Sequence, residues 1–202
     1  MRLGLYGGSF DPVHIGHLIL AETARDQLKL DRVEFIPLGV PPHLKNVRVN
    51  AEIRYKMLQA TLEPYSEFGV SRREIETPGK SYTVDTLRFF HEKQPDDLLF
   101  LILSSETFND LPNWKEPKEI CELASIVIAQ RAGFPEPDFD AARLFASEKR
   151  ISEFKKQVIT APMIEVSSSL IRKKIANNES VRFQVPEPAL NYIRNYRLYQ
   201  FE

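Results

Sequence analysis

Six consecutive apolar residues, Leu98-Leu-Phe-Leu-Ile-Leu103, form the longest apolar run of the chain and show no polar–apolar alternation. A strand with one face in water alternates, so an unbroken run of this kind suits a strand covered on both faces. The run is also far shorter than the roughly 20 residues a membrane helix needs. It therefore calls for a sheet held between two layers of helix, and the flanking sequence supplies the parts. Short β-type runs lie at Arg2–Tyr6, Arg32–Ile36, Phe68–Arg72, Ser125–Gln130 and Gln157–Thr160. Helical patterns lie near Ile15–Leu28, Glu52–Leu62, Tyr82–Glu92, Pro117–Ala124 and Ala141–Arg150, and two more, Ser168–Ala176 and Glu187–Tyr196, close the chain. Strands alternating with helices predict an α/β fold: a doubly wound parallel sheet with C-terminal helices. In such sheets ligands bind beyond the carboxyl ends of the strands, so the loops that follow the strands are where chemistry is sought.

At 202 residues the chain fits one domain, residues 1–202, with no internal repeat and no low-complexity tract. Lys and Arg number 27 against 28 Asp and Glu, a formal net charge of −1. That balance lacks the basic field of a non-specific nucleic-acid binder, so no nucleic-acid partner is expected and any anion site must be local. Cys121 is the only cysteine, which excludes an internal disulfide and a Cys-rich zinc cage. A reduced, cytoplasmic setting is expected, with no membrane partner and no signal segment before Gly7-Gly8 and Asp11. The sequence is compatible with an oligomer.

The first strand runs into Gly7-Gly8-Ser9-Phe10-Asp11-Pro12-Val13-His14-Ile15-Gly16-His17. Paired glycines allow a sharp turn and close approach to a ligand. His14 and His17, three residues apart, share a face of the first helical turn. A helix N-terminus presents unpaired N–H groups and the positive end of a dipole, which bind phosphate, and two imidazoles add donors. A lone glycine pair is usually only a turn, and a lone histidine at a helix start is usually a cap. The combination carries the argument, since each fixed position matches by chance about one time in fifteen. Neither G-x-G-x-x-G nor a Walker A loop is present. Near the other end, Val166-Ser167-Ser168-Ser169-Leu170-Ile171-Arg172 places serines at a helix start and a planar guanidinium within its first turns, a second anion site.

Gly8-Ser9-Phe10-Asp11-x-x-His14-x-Gly16-His17 and the serine–arginine element together resemble the signatures of the nucleotidyltransferase superfamily, which has a Rossmann-like fold. Further elements resemble one branch, the nicotinate-nucleotide adenylyltransferases. They are Pro37-Leu-Gly-Val-Pro41-Pro42-His43, Ser81-Tyr82-Thr83-Val84-Asp85-Thr86, Leu111-Pro112-Asn113-Trp114 and Arg131-Ala132-Gly133-Phe134. The resemblance spans the chain. It departs in two places: Ser104-Ser105-Glu106 follows the central strand where the family usually has Gly-Ala-Asp, and Leu44 separates Pro-Pro-His from Lys45.

The resemblance implies transfer of AMP from ATP to nicotinate mononucleotide, giving deamido-NAD and pyrophosphate, with Mg²⁺ delivered with ATP and no metal site of the protein's own. It implies that Gly7, Gly8, Ser9, Phe10, His14, His17, Ser168, Ser169 and Arg172 bind ATP, with His14, His17 and Arg172 catalytic. It implies that His43, Lys45, Tyr82, Thr83, Glu106, Trp114 and Arg131 bind the acceptor. The residues alone agree in part: Trp114, the only tryptophan, suits stacking on a flat ring, and helix-start N–H groups at Tyr82 and Thr83 suit a carboxylate. Nicotinamide mononucleotide or phosphopantetheine as acceptor, CTP as donor, and a nucleotide sensor without turnover are the alternatives.

Overall fold

The computed structural model describes residues 1–40, 47–130, 135–162 and 164–200. Among these, six strands form one sheet: β1 (Arg2–Gly8), β2 (Arg32–Pro37), β3 (Phe68–Val70), β4 (Leu98–Ser104), β5 (Ser125–Gln130) and β6 (Val158–Thr160). Their order is β3-β2-β1-β4-β5-β6. Every pairing is parallel. The order of connection reverses between β1 and β4, and the loops leaving those two strands border the crevice where such sheets bind ligands.

The apolar run is unbroken because β4 feeds two cores. Phe100 and Ile102 pack with one, and Leu99, Leu101 and Leu103 with the other, each no more than 6% exposed. On the first face lie α1 (Ile15–Gln27), α2 (Ala51–Leu62), α9 (Ser168–Ala176) and α10 (Glu187–Asn195). They contribute Ala21 and Ala24, Met57 and Leu58, Ile171, and Ala189, Leu190 and Ile193. The other face is covered by α4 (Thr83–Lys93), α5 (Ser105–Asn109), α6 (Pro117–Leu123), α7 (Phe139–Ala142) and α8 (Glu148–Lys156). The doubly wound Rossmann-like sheet with helices at its C-terminal end is as expected. No helix among the described residues is long and apolar enough to cross a membrane.

Local structure departs from the sequence expectations in four places. The single helix expected at Ala141–Arg150 is two, α7 and α8. Ser147 starts the second by accepting from the Arg150 N–H at 3.4 Å, and its buried face is set by Ile151 and Phe154 rather than by residues of the 140s. The third strand ends at Val70, and a short helix, α3 (Arg73–Glu76), follows. Ser71 N–H still reaches Phe35 O at 2.8 Å, after which Arg72 turns out to Glu52 and Glu76. The third is α5, which begins directly after β4 because Ser104 caps it, accepting from Thr107 N–H at 3.2 Å. The last strand starts at Val158, one residue later than expected, since Gln157 N–H closes the preceding turn on Phe154 O.

Candidate active site

β1 delivers Gly7 and Gly8 to the carboxyl edge of the sheet. Phe10 follows in the left-handed region, φ +46°, with its ring 1% exposed. That ring packs against Tyr6 at 5.6 Å, Phe35 at 5.5 Å and His17 at 5.0 Å. A Cβ on residue 8 would lie 2.8 Å from Phe10 Cζ, so the aromatic anchor requires glycine there. Among the residues expected to bind ATP, Phe10 thus has its side chain in the core and leaves only backbone to the turn.

His14 caps α1, and its N–H donates to His17 Nδ1 at 3.2 Å. The two rings stack, centroids 3.6 Å apart and planes 23° from parallel. An accepting Nδ1 places the proton of neutral His17 on Nε2. His14 is 6% exposed.

The serine turn closes on this loop from the far end of the chain. Ser167 caps α9 by accepting from Leu170 N–H at 3.1 Å. Ser168 Oγ donates to Pro12 O at 2.9 Å. Arg172 donates from Nη1 to Asp11 O at 2.7 Å and from Nη2 to Ser169 Oγ at 3.2 Å, with Nε buried and unpartnered. The start of α9 is therefore tied to the Asp11–Pro12 loop that leads into α1, which puts Ser168 and Arg172 against the loop that carries His14 and His17.

Three groups that hold this loop were not among the expected site residues. Asp11 is 1% exposed. It accepts from Tyr199 O–H at 2.7 Å and from Arg48 N–H at 2.6 Å. Burial first, and then the neighbouring Asp11 carboxylate, push the Tyr199 hydroxyl far up from its ordinary range. Arg54, also 1% exposed, bonds three carbonyls: Val49 O at 3.0 Å, Ser9 O at 2.6 Å and Leu38 O at 2.5 Å. Burial lowers its pKa against the pull of Asp11. Asp11 stood in the motif as a signal. Arg54 and Tyr199 carried none, since an arginine in a helix and a tyrosine near a chain end read as surface.

Beside the turn opens a cavity of about 950 Å³, whose walls include Gly7, Gly8, Ser9, Tyr82, Thr83, Glu106 and Trp114. Tyr82 precedes α4, which has no side-chain cap, so its first N–H groups have no partner within the helix. Trp114 ends a 3-10 turn, Leu111–Asn113, and its Nε1 donates to Asp110 Oδ2 at 3.2 Å. Lys115 Nζ lies 4.9 Å from the Tyr82 ring centre and bonds Asp85. Glu106 lies in the first turn of α5, on the cavity. The cavity thus joins Tyr82, Thr83, Glu106 and Trp114 to the glycine turn, while His14, His17 and the serine turn lie outside its walls. His43, Lys45 and Arg131 lie outside the described residues. Among the described residues no group of three or more His, Cys, Asp or Glu gathers to hold a metal ion.

A family model described as cytidylyltransferase-like matches residues 5–174. A Clostridium botulinum protein named "Probable nicotinate-nucleotide adenylyltransferase" is 36% identical over 203 residues, covering 100% of this chain and 99% of its own. A Thermus thermophilus protein of the same name is 39% identical over 202 residues, covering 99% and 100%. Among solved structures, the Plasmodium falciparum nicotinic acid mononucleotide adenylyltransferase complexed with NaAD superposes with a TM-score of 0.77 over 100% of this chain and 98% of that one. At 20% identity that likeness bears on the fold alone. By the family model and by relatives of this identity along its full length, the chain belongs to the nicotinate-nucleotide adenylyltransferase family, within the cytidylyltransferase-like proteins.

Proposed function

We propose that this chain transfers the AMP group of MgATP to nicotinate mononucleotide, forming deamido-NAD and releasing pyrophosphate. One observation carries the reading: the Gly8-Ser9 turn borders both the Asp11–Pro12 loop to which the start of α9 is tied and a cavity walled by Trp114 and the uncapped start of α4. A triphosphate suits the first and a flat ring bearing a carboxylate suits the second.

The acceptor phosphate attacks the α-phosphorus in line, and pyrophosphate leaves. That phosphate is already largely ionised near neutral pH, its second pKa being about 6, so the reaction needs no general base. The protein's contribution is placement and charge stabilisation. His17 Nε2 and the His14 ring meet the α- and β-phosphate oxygens. Ser168, Ser169 and Arg172 hold the triphosphate, with Gly7, Gly8 and Ser9 offering backbone. The Tyr82–Thr83 segment receives the carboxylate, Trp114 stacks on the ring, and Glu106 accepts from ribose hydroxyls. Mg²⁺ enters as part of the ATP substrate. The reading carries a cytoplasmic setting, where a lone, buried, reduced Cys121 is at home.

Mixing the protein with MgATP and nicotinate mononucleotide and following pyrophosphate tests this. Release that depends on both substrates is expected. Binding of ATP without release would leave a nucleotide sensor, and release only with CTP would leave a cytidylyltransferase.

A further inference from the structure

Glu74 is a carboxyl buried in the wall of the cavity, 8% exposed, on the short helix α3. Its Oε1 accepts from Thr86 Oγ1 at 3.0 Å. The Gly39 N–H, nearby, favours the ionised form of the same carboxyl. Its main-chain oxygen accepts from Ser81 Oγ at 3.3 Å. Gly39 is pressed so close that a Cβ there would lie 2.1 Å from that oxygen, which explains glycine at this position. The seam is closed by a bridge between Val40 and Lys80, in which Ser81 N–H donates to Val40 O at 2.9 Å. One residue therefore ties together the loop leaving β2, the turn before α4 and the first turns of α4. Leu38, Ser81, Thr83 and Thr86 from these segments all line the cavity.

Its Oε2 is buried and unpartnered. Neither nearby guanidinium bonds it: Arg54 is committed to three carbonyls, and Arg73 lies against the Phe89 ring at 4.6 Å. Burial raises the Glu74 pKa, outweighing its hydrogen bonds and those two cations. The uncharged carboxyl is thereby favoured, as expected where an ion would sit desolvated and unpaired.

We propose that Glu74 is a positioning residue for the acceptor, setting the spacing between the Gly39 loop and the start of α4 and so the fit of the ring and its carboxylate. What the acceptor is rests on the adenylyl-transfer reading. The role of Glu74 does not require contact with it.

Three variants test the proposal. Glu74→Gln keeps an oxygen for Thr86 Oγ1 and is always neutral, Glu74→Ala removes it, and Thr86→Val removes the donor. Glu74→Ala is expected to raise the KM for nicotinate mononucleotide about tenfold or more, and the KM for ATP less than about threefold. Glu74→Gln is expected within about threefold of wild type in both. Thr86→Val is expected between them, and serves as the test if Glu74→Ala does not fold. Unchanged acceptor KM in the folded Ala and Val variants would overturn the proposal. So would equal rises for both substrates, or a Gln variant as impaired as Ala. Wild type is assayed first. If it turns over nicotinamide mononucleotide instead, the substrate assignment fails and the same variants, read with that acceptor, still decide the role of Glu74.

Discussion

Arg172 Nη1 donates to the main-chain oxygen of Asp11 at 2.7 Å, joining residues 161 positions apart. Nη2 of the same guanidinium meets Ser169 Oγ, so one planar fork fixes the serine turn against the histidine turn. Lysine supplies a point charge and no fork. Arg172→Lys is therefore expected to raise the KM for ATP about tenfold while moving the acceptor KM less than about threefold. Steady-state kinetics with each substrate varied will show it. A loss confined to the acceptor would mean that the serine turn does not serve ATP.

The stacked pair His14 and His17 occupies the first turn of α1. A donor aimed at developing charge contributes roughly 2.7–4 kcal/mol to transition-state stabilisation. His14→Ala and His17→Ala should each lower kcat about a hundredfold or more, with a smaller change in acceptor KM. Near-normal kcat in both would remove the pair from the chemistry.

Arg54 is expected to act on stability and on the site together. Its side chain satisfies three carbonyls from the Ser9 turn, the β2 loop and Val49. Arg54→Met fills similar space and leaves those oxygens without their donor, at about 1–3 kcal/mol for each left unsatisfied. Urea unfolding should show a loss of about 3 kcal/mol or more. A loss below about 1 kcal/mol would mean that water replaces the guanidinium freely.

Much of the fold and of the site is legible in the sequence. Leu98–Leu103 reveals a central strand because two cores claim alternate residues from Leu99 to Leu103, while Leu98 stays exposed. The glycine–histidine and serine–arginine elements are contiguous, so their residue types and spacing suffice. What stayed hidden depends on contacts between distant segments. Nothing local says that Arg54 of α2 lies under the Ser9 turn, or that Tyr199 reaches Asp11 across 188 positions. The helix expected at Ala141–Arg150 failed because Ser147 caps a second helix whose buried face begins at Ile151. α3 was missed because four residues carry no periodicity, and Glu74 with it.

Stability against pH tests the charge state of Glu74. Burial raises its folded pKa above the unfolded value. Such a group contributes stability that is present below the unfolded pKa and lost as pH rises through the folded pKa, because the native state binds the extra proton. Glu34, raised mainly by burial as well, follows the same sign and cancels when wild type is compared with a variant that retains it. Glu74→Gln should thus gain stability relative to wild type as pH climbs from about 4 to about 8. A difference that stays flat across that range would mean that Glu74 titrates alike in both states.

The most direct test of the account is acceptor choice, measured as kcat/KM for nicotinate and for nicotinamide mononucleotide at equal MgATP. N–H groups at the start of α4 that pair with a carboxylate lose their charge-assisted partner when a neutral amide replaces it, at roughly 1–3 kcal/mol for each donor left unsatisfied. Two such donors predict a preference for nicotinate mononucleotide of about a hundredfold or more. Trp114→Ala should weaken both acceptors alike, since stacking does not sense the carboxylate. Equal kcat/KM for the two acceptors in the wild-type protein would contradict the account.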